Sequence, residues 1–179
     1  MYEAVLDFWF DEIDPSQWWA GKPEFDALVR ERFMGTLRQA IAGELYEWRR
    51  HARGRLAEVI VLDQFSRNIF RGKPESFSQD PMALALSQEA VAAGTLQELD
   101  SPMQRCFLIM PYMHSESRLI QERAVPLFRD YAPHDNYEYE LRHKAVIDRF
   151  GRFPSRNSIL GRTSTPEELE FLKEHGSGF

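Results

Sequence analysis

The chain has 179 residues, 43% of them hydrophobic and 13% aromatic, and a formal net charge of −6 at pH 7. That apolar content is enough to bury a core and excludes global disorder, while the negative total argues against a nucleic-acid partner. The one cysteine, Cys106, excludes an internal disulfide and any cysteine-rich zinc site.

The start, Met1-Tyr2-Glu3-Ala4-Val5, lacks the basic residues and cleavage site of a signal peptide. No apolar run reaches the roughly 18 residues of a membrane span. A cytoplasmic protein with no membrane partner, forming a single helical domain over residues 1–179, is therefore expected. Residues 3–10 are short and strongly apolar, and Asp11, Asp14 and Pro15 then break the run. A helix opens at Pro23, suited to a first turn, and carries Phe25, Leu28, Val29, Phe33, Leu37 and Ile41 up to Gly43. A third helix over about residues 55–69 puts Leu56, Val59, Ile60 and Leu62 in the core. Asp80 before Pro81 reads as a helix cap with Gly94 as the stop, and Ser101 before Pro102 repeats the pattern. Pro111 is expected to interrupt that helix, and Pro126 to kink the next one. Residues 137–150 form another helix, Thr165-Pro166-Glu167-Glu168 carries a capping box for the last, and the tail from about residue 176 looks loose.

No stretch alternates apolar and polar residues long enough to require a strand. The fold class is all-α, with about eight helices stacked as antiparallel, tetratricopeptide-like pairs. A repeat of about 34 residues is not legible, so any such relation would be structural.

Charge is unevenly distributed. Residues 49–73 and residues 142–162 each carry a net +5, so the remainder carries −16. The basic residues are 18 Arg against 4 Lys, and arginine is the cation that tolerates partial burial and grips carboxylate or phosphate with two donors. Within the first segment Asp63 continues the apolar face of Leu56, Val59 and Ile60, which draws a carboxylate towards the core. Arg67 lies one turn later and can pair with it, while Gln64, Asn68 and Arg71 form an adjacent polar stripe.

The second motif is Met110-Pro111-Tyr112-Met113-His114-Ser115-Glu116. Either His114 and Glu116 face a ligand at a helix junction, or Ser115 caps the next helix and Glu116 favours its positive end. The third runs from Asp148-Arg149-Phe150-Gly151-Arg152 to Phe153-Pro154-Ser155-Arg156-Asn157. Asp148 and Arg152 echo Asp63 and Arg67, and Arg156-Asn157 echoes Arg67-Asn68. His143, on a partly apolar face, is more simply a core residue than a ligand. No phosphate loop, dinucleotide fingerprint, nucleophile elbow or histidine pair with zinc spacing is present, so neither cofactor nor metal is expected.

These words together resemble the uncharacterised bacterial family called domain of unknown function 924. The resemblance rests on Phe8-Trp9-Phe10, on Leu62-Asp63-Gln64-Phe65-Ser66-Arg67-Asn68 and on Phe77-Ser78-Gln79-Asp80. It continues in Pro111-Tyr112-Met113-His114-Ser115-Glu116, in Arg149 through Asn157, and in Leu160-Gly161-Arg162-Thr163-Ser164-Thr165-Pro166-Glu167-Glu168. Ser155 stands where the family pattern carries a histidine, which removes one acid/base group from this loop. The resemblance implies a tetratricopeptide-like helical fold and no activity.

Three functions compete. In the first, Arg67, Arg71, Arg149, Arg152 and Arg156 hold a phosphate or carboxylate with Asp63, Gln64, Asn68, Ser115 and Asn157, and His114, Glu116 or His143 moves protons. In the second, the protein binds an acidic peptide as helical arrays do. In the third, the same residues form a structural ion-pair network. The first is preferred because each basic segment pairs Arg with Asn at a helix end; whether it is an enzyme stays open. Phe8, Trp9, Phe10, Trp18 and Trp19 belong either to the core or to an exposed patch on which a homodimer would assemble.

Overall fold

The computed structural model describes residues 1–176, and the loose tail expected from about residue 176 falls on residues outside that range. Among the described residues every regular element is helical. In chain order they are α1 (Tyr2–Leu6), α2 (Gln17–Ala20), α3 (Pro23–Ile41), α4 (Ala52–Ile60), α5 (Ser66–Ile69) and α6 (Asp80–Ala92). There follow α7 (Thr95–Glu98), α8 (Pro102–Met113), α9 (Arg118–Tyr131), α10 (His134–Phe150), α11 (Asn157–Leu160) and α12 (Pro166–His175). The count exceeds the expected eight because several one-turn helices form between the long ones.

The third helix of the sequence reading is one rod, Ala52 to Ile69, in which α4 and α5 are joined by a π-helical turn, Val61–Phe65. From Leu56 through Ser66 every residue is buried, which is the pattern of a helix enclosed on all sides. It packs against α1, α6 and α8, while α3 covers the π turn and α5. An aromatic ladder fixes these contacts: Phe8 meets Phe33 at 4.9 Å, Phe33 meets Phe65 at 4.8 Å, and Trp9 meets both Phe65 and Phe107 at 5.5 Å. Phe8 and Trp9 are therefore core residues, whereas Trp19 is exposed. At Gly54 the rod comes so close to a 3-10 turn, Tyr46–Arg50, that a Cβ would stand 2.1 Å from the Trp48 carbonyl oxygen. Only glycine fits there.

Helices α8, α9 and α10 follow one another through short loops and pack consecutively. Several boundaries differ from the sequence reading. Pro111 does not interrupt α8, which continues to Met113; residues 106–113 are all buried, and that packing outweighs one lost backbone hydrogen bond. Pro126 lies inside α9, in the helix expected to carry it. The cap of α9 is Ser117, not Ser115; Ser115 Oγ instead accepts from the Ser117 amide at 3.2 Å. Asp80 is the first residue of α6 and its side chain caps nothing, because two arginines occupy it. The Thr165–Glu168 capping box forms as expected.

The echo between Asp63/Arg67 and Asp148/Arg152 is not geometric. Arg67 lies one helical turn after Asp63 and pairs with it, but Gly151 adopts φ +72° and ends α10 before Arg152. Asp148 consequently pairs back to Lys144, and Arg152 turns to Glu168.

Candidate functional site

Two adjoining cavities meet at the end of the central rod. The smaller, about 400 Å³, is lined by Arg67, Arg71, Phe77, His114, His143 and Arg156 among others. The larger, about 700 Å³, shares Arg67, Arg71, His114 and His143 and continues along Gln64 and Asn68. Five separate stretches of sequence thus supply one cleft: α2, α5 with its flanks, α8 and its end, the first half of α10, and the region of the 3-10 turn Pro154–Arg156.

The centre of the cleft is built on Asp63, 1% exposed. Its carboxylate accepts from Arg67 Nη1 at 3.0 Å, from Gln64 Nε2 at 2.6 Å, and contacts His114 Nδ1 at 2.7 Å. Arg67 Nη1 also donates to the Asp63 carbonyl at 2.9 Å, so the arginine is fixed to the π turn by both its backbone and its side chain. The guanidinium then reaches across to Asp80 with two donors, at 2.8 and 2.9 Å. Burial pushes the Asp63 carboxyl up, but His114, Arg67 and Gln64 more than reverse this, and it is held well below the usual carboxylate range. Asp63 is ionised at neutral pH.

Burial and the Arg67 charge lower the His114 pKa, despite Asp63. The imidazole is neutral at pH 7, and because a carboxylate only accepts, its proton sits on Nδ1. Nε2 is left as a proton acceptor on a ring that borders both cavities. His143 is also neutral, lowered to about 4 chiefly by burial, with Nδ1 on the Tyr139 carbonyl at 2.8 Å.

Arg156 lies between two rings, its guanidinium carbon 4.6 Å from the centre of Phe77 and 4.8 Å from that of Phe153. It donates to the His114 carbonyl at 2.8 Å and, more loosely, to Asp80 at 3.3 Å. Burial and the neighbouring Arg67 lower its pKa to about 10. It stays charged at neutral pH, but the fold holds that charge at a cost. Arg71 is half exposed at the rim, held by Asp26 at 2.9 Å, and Asn68 donates to the same carboxylate at 2.8 Å.

The remaining sequence candidates do not line the cleft. Glu116 accepts from Arg162 at 2.8 and 2.9 Å and from the Phe153 amide at 2.8 Å. Arg152 pairs with Glu168 at 2.7 Å, and Asn157 donates to Glu168 and to Ser164. Arg149 lies on Glu167 and on the Phe150 ring, and Ser115 serves its own loop. These contacts tie residues 149–168 together and to the end of α8; they are structural. Sequence reasoning does not single out Phe77 or Tyr139 as residues of the cleft, nor Asp80, which lies outside its lining but holds Arg67 and Arg156. Asp80 was read as a cap, and Phe77 gave no signal beyond its place in the Phe77-Ser78-Gln79-Asp80 word. Among the described residues no group of three or more His, Cys, Asp or Glu is placed to hold a metal ion, and no helix is long and apolar enough to cross a membrane.

The model of a family of bacterial proteins of unknown function, DUF924, matches residues 5–176, and the chain belongs to that family. A solved structure of a protein of unknown function from Agrobacterium tumefaciens is similar to it over 97% of both chains, with 34% identity and a TM-score of 0.91. No curated protein matches the chain.

Proposed function

We propose that this protein binds a small anionic ligand, bearing phosphate or carboxylate, in the cleft between Arg67, Arg71 and Arg156, with His114 as the group that exchanges a proton with it. The accompanying reading of the fold is a tetratricopeptide-like stack acting in the cytoplasm. The observation that carries the proposal is Arg156. Its charge is disfavoured by burial and by Arg67, and its closest carboxylate stands off at 3.3 Å. A guanidinium has five N–H donors, and two of those of Arg156 make the described contacts, so donors remain for a ligand. An anion there would relieve the repulsion between the two arginines. Asp63 and Asp80 balance Arg67 and Arg156 in number, so the cleft stays foldable when empty.

The test is thermal unfolding with inorganic phosphate or sulfate. A ligand at about 100 times its Kd adds about 2.7 kcal/mol, or roughly 5–11 °C for a chain of this size. Wild type is expected to gain, and Arg156→Lys, which keeps the stem and charge but loses the planar fork, is expected to lose most of the gain. No gain in wild type, or an equal gain in the variant, overturns the assignment. A gain with an acidic peptide alone would instead favour an interaction module.

A further inference from the structure

The cleft is chemically two-sided, and the larger side is unlike an anion site. Beyond the shared arginines and histidines its walls include Trp18, Trp19, Tyr139 and three methionines, Met103, Met110 and Met113, alongside polar groups such as Asp135 and Asn136 at the start of α10. A volume of about 700 Å³ lies within the ~300–1,000 Å³ range of small-molecule sites. A bare phosphate needs only a few times the ~30 Å³ of one water. Something larger than the anion is therefore accommodated.

The walls also say what kind of body it has. Trp19 lies flat against Phe107, with ring centres 5.7 Å apart and planes 10° apart, yet it is 54% exposed. One ring face is thus covered by the core while the residue keeps a large open surface at the cleft. Tyr139, on α10, is 51% exposed and belongs to the same wall. Exposed aromatic rings are costly in water and are matched by flat apolar groups, and unbranched methionines adapt to the outline of what they enclose. At the junction, Arg67 and His114 belong to both cavities, so a ligand whose charge sits there can extend its body into the larger, aromatic side.

From this two-sided geometry we propose that the ligand is an aromatic anion, a ring carrying a phosphate or carboxylate, with the charge at Arg67 and Arg156 and the ring against Trp19 and Tyr139. The inference rests on the anion-binding reading above and adds to it the class of ligand.

Calorimetric titration of the full chain with inorganic phosphate, phenyl phosphate and hexyl phosphate tests it. Phenyl phosphate is expected to bind at least about tenfold more tightly than inorganic phosphate. Hexyl phosphate is expected to fall between the two. Trp19→Ala and, as a second variant on a separate helix, Tyr139→Ala are expected to reduce phenyl phosphate towards inorganic phosphate while leaving inorganic phosphate unchanged. Phenyl phosphate binding no tighter than inorganic phosphate overturns the aromatic body and leaves the anion site standing. Hexyl phosphate binding as tightly as phenyl phosphate overturns the aromatic preference, and a gain unaffected by either variant overturns the assigned wall. Binding of none of the three overturns the anion site itself, and this inference with it.

Discussion

Replacing Asp63 by Asn preserves the shape of the side chain and removes its charge. In the native protein that charge is buried and engaged by Arg67, His114 and Gln64. After the change Arg67 keeps Asp80 but faces an uncharged amide on its other side, and of the two oxygens that met Arg67, His114 and Gln64 one is replaced by an NH2 that sets a donor against a donor. Breaking a buried ion pair by removing one partner costs about 3–5 kcal/mol. For a chain of this length that is a fall in Tm of roughly 6–20 °C. Because the Asp63 carboxyl is held below its ordinary range, its contribution is fully present above the unfolded pKa of ~3.9 and is lost as pH falls towards the lower folded value. The variant should therefore lose stability at pH 7 and show a shallower acid limb than wild type. Urea unfolding between pH 3 and pH 7, give or take about half a unit, measures both effects. A loss below about 1 kcal/mol at pH 7 would refute the buried ion pair as a stabilising centre.

Glu140, fully buried with both carboxylate oxygens lacking a hydrogen-bond partner, has its pKa raised to about 8 by burial. Its folded pKa lies above the unfolded one, so stability is full below the unfolded value of about 4.5 and declines as pH rises through about 8. Glu140→Gln is expected to remove that decline and to be the more stable protein at pH 8–9, by a few kcal/mol; parallel pH–Tm curves for the two would contradict it. Gly54→Ala forces a methyl against the Trp48 carbonyl and is expected to cost at least about 1–3 kcal/mol, read as a lower urea midpoint with an unchanged slope. An unchanged midpoint would mean that the turn at Tyr46–Arg50 yields freely.

The helices were legible where short-range rules act alone. Pro23, the Ser101 cap and the Thr165 capping box mark their ends in the sequence, and the structure has them there. So was the pairing of Asp63 with Arg67, since a four-residue step on a helix admits little else. The role of Asp80 was not legible. A residue before Pro has a local explanation as a cap, and nothing local reveals that Arg67, thirteen residues away, and Arg156, seventy-six residues away, converge on it. Division of the second arginine cluster failed for the same reason. Arg152 and Arg156 have equal credentials as residues, but one meets Glu168 and the other meets the cleft. The Asp148 echo compares side chains alone, and Gly151, inside the word itself, ends the helix before Arg152.

The π turn at Val61–Phe65 sets the rotational phase of everything after it. Each residue of an α-helix advances about 100° around the axis, and an i→i+5 turn contains one residue more than the α form would. Ser66 to Ile69 and the exit through Arg71 are thus rotated by about that angle from where a straight continuation of α4 would hold them. Upstream of the turn the rod is clocked to the packing of α1, α6 and α8; downstream it is clocked to Asp26, Asp80 and the cleft. A point substitution alters one contact at a time, whereas loss of one residue within 61–65 would keep the first register and swing Arg67, Asn68 and Arg71 together off the second.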